Sequence, residues 1–135
     1  MNTVTLTGNL ADELTLRYTA NGTPVVNDAI AVNRRVRVDG DWQDRLDGFF
    51  DFSVFGSTAE HAADSLGKGD RVTVAGRLEQ RSYEDTEGVQ RRAVQVVADT
   101  LAADLRFASA EVTKASKAEG NGQAEPAADT EDAPF

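Results

Sequence analysis

An all-β fold interrupted by one short helix is what this sequence predicts, and three observations carry the prediction. Apolar and polar residues alternate with period two at 4–10, 49–55 and 72–78, the pattern of strands with one buried face. Turn signals separate these runs: Asn21-Gly22, Asp39-Gly40 and Asp85-Thr86-Glu87-Gly88. Helical spacing occurs convincingly only at Ala59, Ala62, Ala63 and Leu66.

Taken in order, Val4, Leu6, Gly8 and Leu10 alternate with Thr3, Thr5, Thr7 and Asn9, and Leu14, Leu16 and Tyr18 continue the alternation. This predicts a bent first strand ending at Asn21-Gly22. A long second strand runs from Pro24 to Val38, and Asp39-Gly40 turns it back through Trp42, making an extended finger on which Arg35 and Arg37 share a face. The third strand, Phe49–Phe55, has an apolar face of Phe50, Phe52 and Val54 assigned to the core. Its other face sets Phe49 and Phe55 beside Asp51 and Ser53. Two rings on a polar face serve either as a stacking platform or as a packing surface against another subunit.

Ser57-Thr58-Ala59-Glu60 has the form of a capping box, with Ser57 as N-cap, and Gly67 ends the helix. The fourth strand buries Val72, Val74, Gly76 and Leu78. Beyond them Arg77, Glu79, Arg81 and Tyr83 line its other face, a strip suited to stacking and phosphate contact. The fifth strand runs from Val89 to about Ala98, with Val94 and Val96 on one face, and Leu101, Leu105 and Phe107 are placed at the core edge. Gly8 and Gly76 each precede a Leu by two residues inside a strand, which predicts a bulge or sharp bend of the kind that curves small barrels. Three strands, a helix between strands 3 and 4, and two further strands make the five-stranded OB-fold barrel, which hosts oligonucleotide, oligosaccharide and protein ligands.

Residues 1–108 are read as this domain. Residues 109–135 are rich in Ala, Glu, Lys, Gly, Asn and Gln, bury almost nothing, and are expected to form a disordered tail. The tail ends in Asp129-Thr130-Glu131-Asp132-Ala133-Pro134-Phe135, where carboxylates, a ring and the α-carboxylate make a peptide that a basic, apolar pocket could capture.

Composition narrows the function classes. There is no Cys, and His61 is the one His, assigned to the helix's polar surface; no metal or other cofactor is expected. Asp39 with Asp41, and Asp85 with Glu87, fall in turns, where acidic residues need no catalytic explanation, so an enzyme is not expected. No membrane-spanning run or signal-peptide pattern is present, which predicts a cytoplasmic protein. The net charge of −9 divides between domain and tail: residues 108–135 hold two basic and six acidic residues, residues 1–107 twelve and seventeen. A polyanion would therefore have to bind a local basic strip rather than a basic body.

The chain resembles the bacterial single-stranded DNA-binding proteins. The resemblance rests on Thr7-Gly8-Asn9-Leu10, Leu16-Arg17-Tyr18 with Asn21-Gly22, and Phe55-Gly56 through Ala59-Glu60. It continues through Leu66 with Lys68-Gly69, Val72 through Arg77-Leu78, Arg81-Ser82-Tyr83 with Asp85 and Gly88, and the acidic tip ending in Pro134-Phe135. It implies a cytoplasmic, nucleoid-associated homotetramer that wraps single-stranded DNA without sequence preference in replication, recombination and repair. It implies DNA-stacking roles for Phe49, Phe55 and Tyr83 and basic contacts from Lys68 and Arg81. Arg34, Arg35, Arg37, Arg77 and Arg91 are neighbouring contacts, and Trp42 completes the DNA-binding set. Asp132, Ala133, Pro134 and Phe135 would dock replication, recombination and repair proteins. The chain departs from the family pattern in having Val36 where a stacking Trp is frequent and Asp51 where a basic residue is common. Those departures and the acidic body motivate an alternative, an OB-fold protein-interaction module with weak or lost DNA binding.

Overall fold

Backbones meet closely at two glycines, and the sheet closes on itself around them. The computed structural model describes residues 1–115. The elements are β1 (Val4–Leu10), β2 (Leu16–Tyr18), β3 (Pro24–Val38), β4 (Asp41–Phe55), α1 (Ser57–Ser65), β5 (Arg71–Glu84) and β6 (Gln90–Ala103). β1 pairs with β5 over Val4–Asn9 and crosses to β3 at Asn9 and Leu10, while β2 continues along β3. β1 and β2 are thus the two halves of the bent first strand. The ring β1–β5–β6–β4–β3–β1 is a five-stranded closed barrel, antiparallel except between β4 and β6. A Cβ at Gly8 would collide with the Ala31 carbonyl oxygen, and one at Gly76 with that of Val97. At Gly76 the β5–β6 register also shifts, leaving Asp99 of β6 unpaired, a bulge that lets the barrel curl.

Apolar side chains of alternate positions meet inside: Leu10, Val26, Ile30, Phe52, Val54, Val72, Val74, Val96 and Ala98, with Ala59 of α1 completing the core. Burying each large aliphatic or aromatic side chain contributes about 1.5–3 kcal/mol. Strand periodicity over-extends at the barrel's ends, where no layer covers it. Phe50, Leu78 and Val94 are substantially exposed although they share faces with core residues. Leu105 and Phe107 are exposed too; the Arg71 and Arg106 guanidiniums lie 5.6 and 5.8 Å from the Phe107 ring centre.

The capping box does not form. Gly56 is the N-cap, with φ 78°, and Ser57 is already helical, so the Ser57–Glu60 pair lies one residue out of phase. The sharp exit from β4 demands a left-handed residue, which Gly supplies without a Cβ penalty. The Gly56 N–H donates to the Pro24 carbonyl at 2.9 Å, fixing where α1 starts. At the other end Leu66 is extended and the Gly67 N–H donates to Asp70 Oδ2 at 2.8 Å. Among the described residues no helix is long and apolar enough to cross a membrane.

Candidate nucleic-acid interface

Cross-strand partners put a row of small side chains along the outer face of β3 and β4: Asn27 opposite Ser53, Ala29 opposite Asp51, Ala31 opposite Phe49, with Val25 opposite Phe55. The hairpin of β5 and β6 continues this face, with Arg81 opposite Ala93 and Tyr83 opposite Arg91. Small side chains between larger ones leave a groove of about 1040 Å³. Phe55, Lys68 and Arg81 line it, and Arg17, Asn27, Ser53 and Gln95 line it with them. Phe49 is 61%, Phe55 44%, Tyr83 50% and Trp42 57% exposed, so each ring keeps a free surface for a stacking partner.

The finger is longer than its turn residues alone define. Asp39 and Gly40 have φ of 53° and 85°, which matches the two-residue hairpin expected of Asp-Gly. Val32 pairs with Gly48 but Asn33 pairs with Leu46, so Asp47 is a bulge. The extra residue inverts the parity of β4 beyond it. Trp42, Asp44 and Leu46 therefore share the outer face with Phe49, opposite Arg37, Arg35 and Asn33. Arg35 and Arg37 place their guanidiniums 5.9 and 5.8 Å from the Trp42 ring centre. Arg34 alternates to the other face, paired with Arg45, and does not join them.

Four of the seven expected basic residues hold an internal carboxylate. Arg34 meets Asp47 at 3.3 Å, Arg35 meets Asp44 at 3.9 Å, Arg77 meets Glu79 at 3.4 Å and Arg91 meets Asp85 at 2.9 Å. Arg37, Lys68 and Arg81 have no ion pair among the described residues. Opening an exposed pair such as Arg77–Glu79 costs about 0–1 kcal/mol, less than the roughly 1–3 kcal/mol of one stacked base, so pairing does not disqualify these arginines. The groove itself is mixed: Asp12, Glu13, Asp28 and Asp51 face Arg17, Lys68 and Arg81. Burial holds the Asp28 carboxyl above the usual carboxylate range, helped by the charges of Asp12 and Asp51 and opposed by N–H donors of Ala29 and Asp12.

The tip of the second hairpin is explained by Asp85 as a turn residue. Its Oδ1 accepts from the N–H groups of Glu87 and Val89, both at 2.9 Å, and its Oδ2 from Arg91 Nε. Those donors hold its carboxyl below the usual range. Sequence reading gave no site role to Arg17, Asn27, Asp28 or Gln95. The only signal was strand alternation, which places them on the groove face once the pairing is known. The tip residues Asp132, Ala133, Pro134 and Phe135 lie outside the described residues.

Comparison with known proteins is consistent along the whole barrel. The model of the single-strand binding protein family matches residues 1–104. A single-stranded DNA-binding protein of Mycobacterium leprae is 42% identical over 120 residues, 87% of this chain and 71% of that one. Single-stranded DNA-binding protein 2 of Streptomyces coelicolor is 44% identical over 115 residues, 84% of this chain and 58% of that one. The crystal structure of a small single-stranded DNA-binding protein from Streptomyces coelicolor superposes with a TM-score of 0.66 at 34% identity, covering 78% of this chain and 97% of that one. With its five-stranded closed barrel and its match from residue 1 to residue 104, this chain belongs to the single-strand binding protein family.

Proposed function

We propose that the protein is a non-enzymatic, sequence-independent binder of single-stranded DNA that covers and protects it during replication, recombination and repair. The observation that carries this reading is that Phe55, Lys68 and Arg81 line one groove, while Phe49 and Trp42 share the Phe55 face of β4 and Tyr83 shares the Arg81 face of β5, each ring with free surface. Rings supply sequence-tolerant stacking, and the cations follow the backbone. Titrating oligo-dT against the fluorescence of Trp42 tests it: quenching that saturates, tight binding that weakens with salt, and much weaker binding of duplex are expected. Equal affinity for duplex and single strand would overturn it.

Residues 1–108 form the DNA-binding domain in this reading, and residues 109–135 a tail whose tip, Asp132-Ala133-Pro134-Phe135, recruits replication, recombination and repair proteins. The protein works as a homotetramer in the cytoplasm, associated with the nucleoid. Among the described residues the edge of β1 from Val4 to Gly8 pairs with β5 on one side only, which leaves backbone donors and acceptors for a second copy. Light scattering gives the mass directly.

The four carboxylates in the groove favour a second reading, a protein-interaction module with weak DNA binding. A gel shift with the chain ended at residue 108 separates the two. Strong DNA binding by that core excludes the module; no binding with partner capture intact by the full chain supports it.

A further inference from the structure

Ser53 is the buried polar residue of the barrel, 2% exposed, on the groove floor rather than in the core. Its Oγ lies 2.6 Å from Asn27 Oδ1 and 2.9 Å from Gln95 Oε1. A hydroxyl has one hydrogen and can donate to only one of these. The other amide must turn its NH2 end to Ser53, whose lone pair then accepts. The far end of each amide is left for the groove that both side chains line. One amide then offers the groove NH2 and the other offers C=O. Rotating the hydroxyl and both amides exchanges the two.

We propose that Ser53, Asn27 and Gln95 form a reversible hydrogen-bond reader for the edges of DNA bases, a device that makes groove contact to bases sequence-tolerant. Every base carries a donor and an acceptor side by side on its Watson–Crick edge, as thymine and guanine do in one order and cytosine and adenine in the other. A rigid donor–acceptor pair would favour one order; a pair that reverses through the Ser53 hydroxyl satisfies both. Phe55 lies two residues from Ser53 on the same face, so a base stacked on its ring brings its edge over the triad. The proposal rests on the single-stranded DNA reading and adds to it a base-contacting polar site.

Labelled dT, dC and dA oligonucleotides of one length, and a dT oligonucleotide with abasic positions, provide the test by fluorescence anisotropy. Wild type binds all three homopolymers, and binds the abasic dT strand more weakly than intact dT. Ser53→Ala loses about three- to tenfold on each homopolymer and nothing on abasic positions; Ser53→Thr, which keeps the hydroxyl, recovers the loss. Asn27→Ala, made at an exposed side chain that does not threaten the fold, shows the same selective loss. An unchanged homopolymer affinity in both Ala variants, or an equal loss on abasic DNA, overturns the reader while leaving the DNA reading standing. Failure of the wild type to bind dT overturns both.

Discussion

Trp42 and Phe49 lie on the same face of the finger strand because Asp47, between them, is a bulge. Seven positions apart in a regular strand, they would point to opposite faces. Deleting Asp47 restores regular alternation and moves Trp42 away from Phe49. Oligo-dT is then expected to lose most of its quenching of Trp42 while the barrel melts close to wild type, since the finger beyond Gly48 is mostly exposed. Trp42→Ala should weaken oligo-dT binding by about 1–3 kcal/mol, or roughly five- to 150-fold. Undiminished quenching in the deletion would show that Trp42 senses DNA from either face.

Asp51 stands between Ala29 and Arg81 in the groove and works against a polyanion. At about 4 Å in a water-like medium a like charge costs around 1 kcal/mol, so Asp51→Asn is expected to tighten oligo-dT binding about fivefold at low salt. Asp51→Lys should tighten it further and steepen the salt dependence by about 0.7 in log–log slope for one added phosphate contact. Titration at two salt concentrations measures both. Weaker binding by Asp51→Lys would place the backbone away from the centre of the groove.

The barrel was readable in the sequence because its signals are local. Asp39-Gly40 and the Asp85–Gly88 turn write their own hairpins, and the alternation around Val26, Phe52 and Val74 separates core from surface without knowledge of the partners. Residues that depend on distant pairing were not readable. The bulge at Asp47 reverses which β4 residues face the groove; Gly48 beside it is a bulge signal of the same kind as Gly76, but it lies outside the strand expected at 49–55. Phe50 continues an apolar face, yet only the shape of the barrel end decides that it is left partly uncovered. Gly56 took the N-cap from Ser57 because the exit angle of β4 is a property of the closed sheet. Likewise the acidic partners of Arg34, Arg35 and Arg77 come from across a hairpin or along a face, so a list of basic residues overstated the free positive charge.

Two glycines carry a stability prediction that differs from the usual one for turns. Gly8 and Gly76 need no left-handed conformation; each is required because a Cβ would collide with a carbonyl of the next strand, Ala31 or Val97. Backbone cannot yield as a side-chain end can. Gly8→Ala and Gly76→Ala should each cost about 1–3 kcal/mol, lowering the melting temperature by roughly 4–8 °C per kcal/mol. Gly40→Ala meets open space and bears only the left-handed penalty of about 1–2 kcal/mol, in a finger outside the core. Thermal unfolding monitored by circular dichroism measures all three variants, and a wild-type melting temperature in Gly76→Ala would refute the close approach.

Asp28 makes the groove respond to acid. Its carboxyl titrates above the usual range, chiefly through burial, so the folded state holds its proton more tightly than the unfolded chain. Ionisation of Asp28 therefore costs stability, and the cost is complete above the raised value and disappears as pH falls through it to below the ordinary carboxylate value. Asp85 and Asp104 work in the opposite direction. Their carboxyls are held low by hydrogen bonds, from Val89 and Arg91 in one case and from Arg106 and Arg71 in the other. They contribute stability that is present above the ordinary carboxylate value and is lost as pH falls through their lowered ones. Asp28→Asn keeps an oxygen to accept from the Asp12 N–H and removes the negative charge together with its titration. At neutral pH this variant should melt higher than wild type and bind oligo-dT more tightly. Both differences should shrink on acidification, because wild type then carries its own neutral Asp28. Melting curves and oligo-dT titrations of the pair from neutral pH to below the ordinary carboxylate value measure this directly. A difference that stays constant across that range would mean that Asp28 acts through its shape rather than its charge.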